Sequence, residues 1–126
     1  MAGSPQMSLV IFQFRGTRIA VEAQSVDRIG YVPSPVPEEL EMREMHTLLG
    51  APDYRSREPR VLYMKQPGKA LKIDQLEDIW TAAAGSLHPL PRLITRLAAA
   101  DYLGWTAGKK HEVVLILDIS GMFTDA

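Results

Sequence analysis

The chain has 126 residues, of which 46% are hydrophobic and 23% charged, with a formal net charge of −1. Those values describe one globular domain, or two very small subdomains sharing a core, and leave no long-range field to gather nucleic acid or an anionic membrane. With no cysteine in the chain, a disulfide framework, a cysteine–zinc site and a thiol nucleophile are all excluded.

The opening Met1-Ala2-Gly3-Ser4-Pro5-Gln6 is polar and lacks the basic and apolar regions of a signal peptide. No run approaches the roughly 20 apolar residues needed to cross a bilayer. The expectation is a soluble, cytoplasmic protein without membrane insertion. Residues 1–7 read as a flexible terminus.

A β-hairpin pattern follows, from Ser8 through Phe14, a turn at Gly16, and back along Thr17 to Glu22. Val10, Phe12 and Phe14 share one face and Leu9 and Ile11 the other. A strand apolar on both faces is covered on both sides, which places it centrally in a sheet. Sliding the window by 52 positions (8 to 60) lands it on Arg60–Asp74, apolar on apolar at 9/61, 10/62, 11/63, 12/64, 19/71 and 21/73, and glycine on glycine at 16/68. An acid closes each copy, Glu22 and Asp74. Each is followed by an apolar-x-x-apolar step, Val26-Asp27-Arg28-Ile29 and Leu76-Glu77-Asp78-Ile79. Two hairpins of one design point to a duplicated structural unit.

Between the copies, Asp27 to Val32 reads as a third strand ended by Pro33, Pro35 and Pro37. Met42, Met45, Leu48 and Leu49 then stand at helical spacing, with Pro37 at the front, acids at 38, 39 and 41, and Gly50 behind. That pattern predicts an amphipathic helix of about three turns over Glu38–Leu49. After the second hairpin, Ile79-Trp80-Thr81 is expected to extend as a strand and Arg92–Ala100 to form a short helix. Leu103–Thr106 and His111–Ile119 read as a final strand pair turning at Gly108-Lys109-Lys110, the second strand buried through Val113–Leu117. Many short strands with little helix predict a mainly-β, barrel-like architecture.

Little in the chain reads as chemistry. His46, His88 and His111 are scattered and form no ligand-spaced pair; His46 reads as a partly exposed helix residue and His111 as a solvated strand end. Asp74, Glu77 and Asp78 form the tightest acid group, but they alternate with Ile73, Leu76 and Ile79 and read as a solvated turn rather than an acid–base or cation site. Asp118 follows a buried strand, where it would accept backbone hydrogen bonds. No phosphate loop, nucleophile elbow, catalytic residue, metal set or cofactor-binding set can be named, so an enzyme is not expected. The alternative function is a small-molecule-binding β-barrel sensor, with a pocket lined by Trp80, Tyr102 and Trp105.

Taken in order, these segments resemble the CheW-like domain of bacterial chemotaxis signalling. The resemblance rests on the Phe12–Val21 hairpin with Val26-Asp27-Arg28-Ile29, on Ile73-Asp74-Gln75-Leu76-Glu77-Asp78-Ile79, and on Tyr102-Leu103-Gly104 with Leu115-Ile116-Leu117-Asp118-Ile119. It implies two intertwined SH3-like β-barrel subdomains sharing a core. One domain would span 8–123, with 8–50 as the first subdomain plus helix and 60–123 as the second. It also implies a non-enzymatic adaptor joining a chemoreceptor tip to the regulatory domain of a histidine kinase, with no cofactor and no nucleic acid. Residue matching makes Val26, Ile29, Leu76 and Ile79 the candidate partner-binding residues. The chain departs from the family between Val32 and Pro59. There the family's Asn-Leu-Arg-Gly stretch, Pro-Val strand and Asp-Leu step are missing, and only Met45–Gly50 matches the end of that region. The first barrel is therefore expected to be truncated, with the helix in place of strands, and its open edge to invite a homodimer.

Overall fold

Apolar alternation broken by turn glycines is satisfied by two sheets that exchange strands. The computed structural model describes residues 6–83, 87–88, 101–108 and 112–118. The expected Arg92–Ala100 helix and His111 lie outside them. Among the described residues the strands are, in chain order, β1 (Gln6–Phe14), β2 (Thr17–Glu22), β3 (Val26–Gly30), β4 (Glu41–Glu44), β5 (Pro59–Met64), β6 (Lys69–Asp74), β7 (Leu76–Ala83), β8 (Asp101–Ala107) and β9 (Val113–Asp118), with a 3-10 turn at Ala23–Ser25 and one α-helical turn, α1 (Met45–Leu48). β1 begins at Gln6, two residues before the expected hairpin start. The five-stranded sheet runs β7-β1-β2-β9-β8 and the four-stranded sheet β3-β5-β6-β4.

The duplication expected from the sequence is present, and the two crossing ladders share one register. β1–β2 and β5–β6 are both antiparallel hairpins. The strand that leaves each hairpin crosses over to pair with the other: β3 with β5, and β7 with β1. Val10, Ile11 and Phe12 face Ile79, Asp78 and Leu76; their counterparts Leu62, Tyr63 and Met64 face Ile29, Arg28 and Val26. Each crossing strand carries an irregularity at the same place, between Ile11 and Phe12 in one ladder and between Val26 and Arg28 in the other. A bulge adds a residue, sharpens the twist and redirects the strand.

The gapless match is corrected in one respect. Val10 pairs with Val21, while Leu62 pairs with Leu71, so β6 stands two residues closer to its own first strand than β2 does. The first hairpin turns through Arg15 (φ 50°) and Gly16 (φ 79°), a two-residue loop with both residues left-handed. The second turns through four residues ending at Gly68 (φ 75°). A slip of two keeps every side chain on its original face. Ile19, Val21, Leu71 and Ile73 consequently still enter one core, although Glu22 is the register mate of Lys72 rather than of Asp74.

That core lies between the sheets and takes Val10, Phe12, Ile19, Val21 and Leu117 from one and Leu62, Met64, Leu71 and Ile73 from the other, with Met45. A second cluster, Leu9, Ile11, Ala20, Ala82, Val114 and Ile116, covers the opposite face of the five-stranded sheet. β1 is thus buried on both faces, as its residue pattern requires. In β9, Val114, Ile116 and Leu117 are buried, but Val113 is 55% exposed, against expectation.

The Glu38–Leu49 helix does not form. Glu41–Glu44 is strand β4, parallel to β6 with Glu41 opposite Lys69 and Glu44 opposite Lys72, and only α1 is helical. Helical spacing among the apolar residues loses here to four ladder residues with cross-strand ion pairs, Lys69–Glu41 at 2.9 Å and Lys72–Glu44 at 3.4 Å. β4 stands in its sheet where β9 stands in the other, since each runs parallel to the second strand of a hairpin. β9 has β8 on its outer side; β4 has no strand beyond it among the described residues. The shortening expected from the sequence falls on this outer strand.

Candidate protein-interaction surface

Val26, Ile29, Leu76 and Ile79 stand on β3 and β7, the outermost strands at corresponding ends of the two sheets. Residues directly opposite in a ladder project to the same face. Val26 and Ile29 oppose Met64 and Leu62, and Leu76 and Ile79 oppose Phe12 and Val10. All four therefore point toward the side of the shared core. Val26, Ile29 and Leu76 are half-buried and pack against that one cluster. Ile79 is 55% exposed. The fold brings three of them to the margin of one core and leaves the fourth in water on an edge strand.

Of the acid group read as a solvated turn, Glu77 and Asp78 are exposed but Asp74 is enclosed. Asp74 is 6% exposed and accepts hydrogen bonds from Tyr54 Oη at 2.7 Å, Glu58 N at 2.7 Å and Arg57 N at 3.1 Å. Burial by itself raises its pKa, but these hydrogen bonds, with one from the Gln75 backbone, outweigh burial and hold it below the ordinary carboxylate value. The same bond raises the Tyr54 hydroxyl. Gln75, at φ 47°, forms the corner into β7, accepting from Gln13 N and donating to Glu58 O. Tyr54 meets Phe14 edge-on at 5.0 Å between centroids. Asp74 thus ties the 51–58 segment over the end of the shared core. Glu77, by contrast, is exposed and pairs with Arg18 at 3.1 Å.

His46 is also corrected, being buried rather than partly exposed. Its Nδ1 donates to Ala51 O at 2.9 Å, and its Nε2 lies 3.0 Å from Glu44. His88 is exposed, and the Asp118 side chain lies outside the described residues. Among the described residues no group of three or more His, Asp or Glu could hold a metal ion, and no helix is long and apolar enough to cross a membrane.

A ligand pocket of Trp80, Tyr102 and Trp105 cannot be assembled from what is described, because the last two side chains fall outside it; Trp80 packs on the second cluster. At the shared core, between Phe12, Phe14, Met45, Tyr54 and Asp74, the free space is about 10 Å³, room for at most one water. A larger cleft of about 520 Å³ opens to solvent between the 33–40 segment and the β5–β6 turn. There the Arg28 guanidinium lies 3.9 Å from the Tyr63 ring centroid, a cation–π pair the sequence reading did not single out. Arg28 and Tyr63 come from different copies of the repeat, and only the crossed pairing of β3 with β5 brings them face to face.

No family model matches this sequence, and no curated protein does. A solved structure does. The scaffolding protein TtCheW from Thermoanaerobacter tengcongensis superposes with a TM-score of 0.70, over 98% of this chain and 91% of that one, at 14% identity. The fold is CheW-like. Identity of 14% establishes the shared architecture of two SH3-like subdomains and does not carry function with it.

Proposed function

We propose that the chain is a non-enzymatic adaptor of the CheW type, soluble in the cytoplasm, that joins a chemoreceptor tip to the regulatory domain of a histidine kinase. The neighbouring structure is that of a scaffolding protein, and this chain's polar side chains support the same reading. Asp74, His46 and Glu77, the groups best suited to acid–base work, are engaged in structural bonds.

Contact is made by the apolar margin of the shared core, with Val26, Ile29 and Leu76 forming its floor and Ile79 its exposed contact. The observation that carries this assignment is the asymmetry of a register-matched pair: Ile29 is half-buried on the core, whereas Ile79 is 55% exposed on an edge strand. A large aliphatic side chain set in water next to a well-packed margin is what a partner surface offers.

The test is calorimetric titration of the chain with the kinase regulatory domain and with a receptor-tip peptide from the same genome. Saturable binding to either, weakened at least about tenfold by Ile79→Lys, is expected. Absence of saturable binding to both refutes the proposal.

A further inference from the structure

The outer edge of β4 has a hydrogen-bonding polarity that can be read off the ladder. Glu41 N donates to Gly68 O, so the N–H and C=O of Glu41, and by alternation those of Arg43, point toward β6. The N–H and C=O of Met42 and the N–H of Glu44 point away from it, while the Glu44 C=O, at the N-cap of α1, accepts the first bond of that turn. No strand covers that edge among the described residues. In the other sheet the corresponding strand, β9, is covered by β8, which runs antiparallel to it. The position open beside β4 is therefore one that this fold fills with an antiparallel strand.

We propose that β4 of a second copy of this chain fills it, antiparallel, with Met42 on the two-fold axis. Charge selects the occupant and the register. Outward-facing backbone must meet outward-facing backbone, so hydrogen-bonded pairs are drawn from residues 40, 42 and 44; Leu40 brings only its C=O, because its N–H already donates to Pro37 O at 3.1 Å. Pairing Met42 with Glu44 sets Arg43 against Arg43; pairing Glu44 with itself sets two carboxylates together; pairing Leu40 with Met42 sets Glu41 against Glu41. Met42 opposite Met42 is the register that avoids like charges. It places each Glu41 across from the other copy's Arg43 in the non-hydrogen-bonded pairs, where side chains approach closest. The two Met42 residues then exchange both N–H···O bonds across the axis, and a closed two-fold dimer results.

This dimer does not depend on the adaptor reading. Sedimentation equilibrium is expected to give twice the 14.0 kDa chain mass at high loading. Met42→Pro removes the outward N–H without touching the β6 ladder, as edge prolines do, and is expected to raise the dissociation constant at least about tenfold. Because the chain has no cysteine, Met42→Cys is a clean probe. Opposed Cα atoms about 5.5 Å apart suit a disulfide, so air oxidation should yield a covalent dimer. Glu44→Cys, whose two copies lie about four strand residues apart, should yield little. A monomer at every loading overturns the proposal, as does a dimer that Met42→Cys fails to cross-link. Should Met42→Pro unfold on circular dichroism, the cross-linking pair decides alone.

Discussion

Replacing Asp74 probes the linkage between charge, burial and the 51–58 segment. In Asp74→Ala, the Tyr54 hydroxyl and the Arg57 and Glu58 amides lose their acceptor. Each unpaired buried donor costs about 1–3 kcal/mol, and partial exposure lets some recover water. A loss of about 2–4 kcal/mol is expected, a large share of the roughly 5–15 kcal/mol by which domains are stable. At this size it corresponds to a fall in Tm of about 8–15 °C. Asp74→Asn keeps an acceptor oxygen but turns an NH2 toward one backbone donor, and should cost about half as much.

The pH dependence supplies the stricter criterion. Its hydrogen bonds hold the folded pKa of Asp74 below the ordinary carboxylate value. Its contribution is therefore present above about pH 4 and is lost as pH falls through the folded value. Thermal melts followed by circular dichroism at pH 7 and near pH 2–3 should show wild type and Asp74→Asn separated at the first and converging at the second. Equal separation at both would refute the assignment of the stability to the ionised carboxylate. A difference under about 2 °C at pH 7 would refute the hydrogen-bond reading as a whole.

Phe12 is fully buried where the two sheets meet, so Phe12→Ala should cost about 3–5 kcal/mol in urea denaturation. Gly16 turns at φ 79° with open space around its Cα. Gly16→Ala should therefore cost only the backbone penalty of about 1–2 kcal/mol, with no change in the unfolding m-value. Ile79→Lys should leave stability within about 0.5 kcal/mol of wild type, while Leu76→Lys, which forces a charge onto the shared core, should cost several times more. A loss of binding in Ile79→Lys at unchanged Tm would separate contact from folding.

Much of the architecture was legible because it rests on short-range chemistry. Leu9–Phe12 is apolar on both faces and became an interior strand. The glycines at 16 and 68 both proved left-handed and each ends its hairpin turn, although the second turn is two residues longer. The apolar-x-x-apolar steps became the crossing strands with matched bulges. Glu41–Glu44 was misread because its helical spacing is a property of four residues, while its strand state comes from a ladder to β6, 28 positions away. Asp74 looked solvated beside Glu77 and Asp78, and His46 looked half-exposed. Both are enclosed by residues 51–58, a segment whose polar composition says nothing of what it covers.

By itself, then, the order of residues determined the strands of the two hairpins, their two faces and the existence of a twofold internal repeat, because alternation and left-handed glycine act over a few residues. Tertiary structure alone decided that each hairpin lends its following strand to the other. It also decided that Ile29 is half-buried while its mate Ile79 is exposed, and that β4 is the last strand of its sheet among the described residues. Those outcomes depend on which backbone donors and acceptors remain after distant strands have paired.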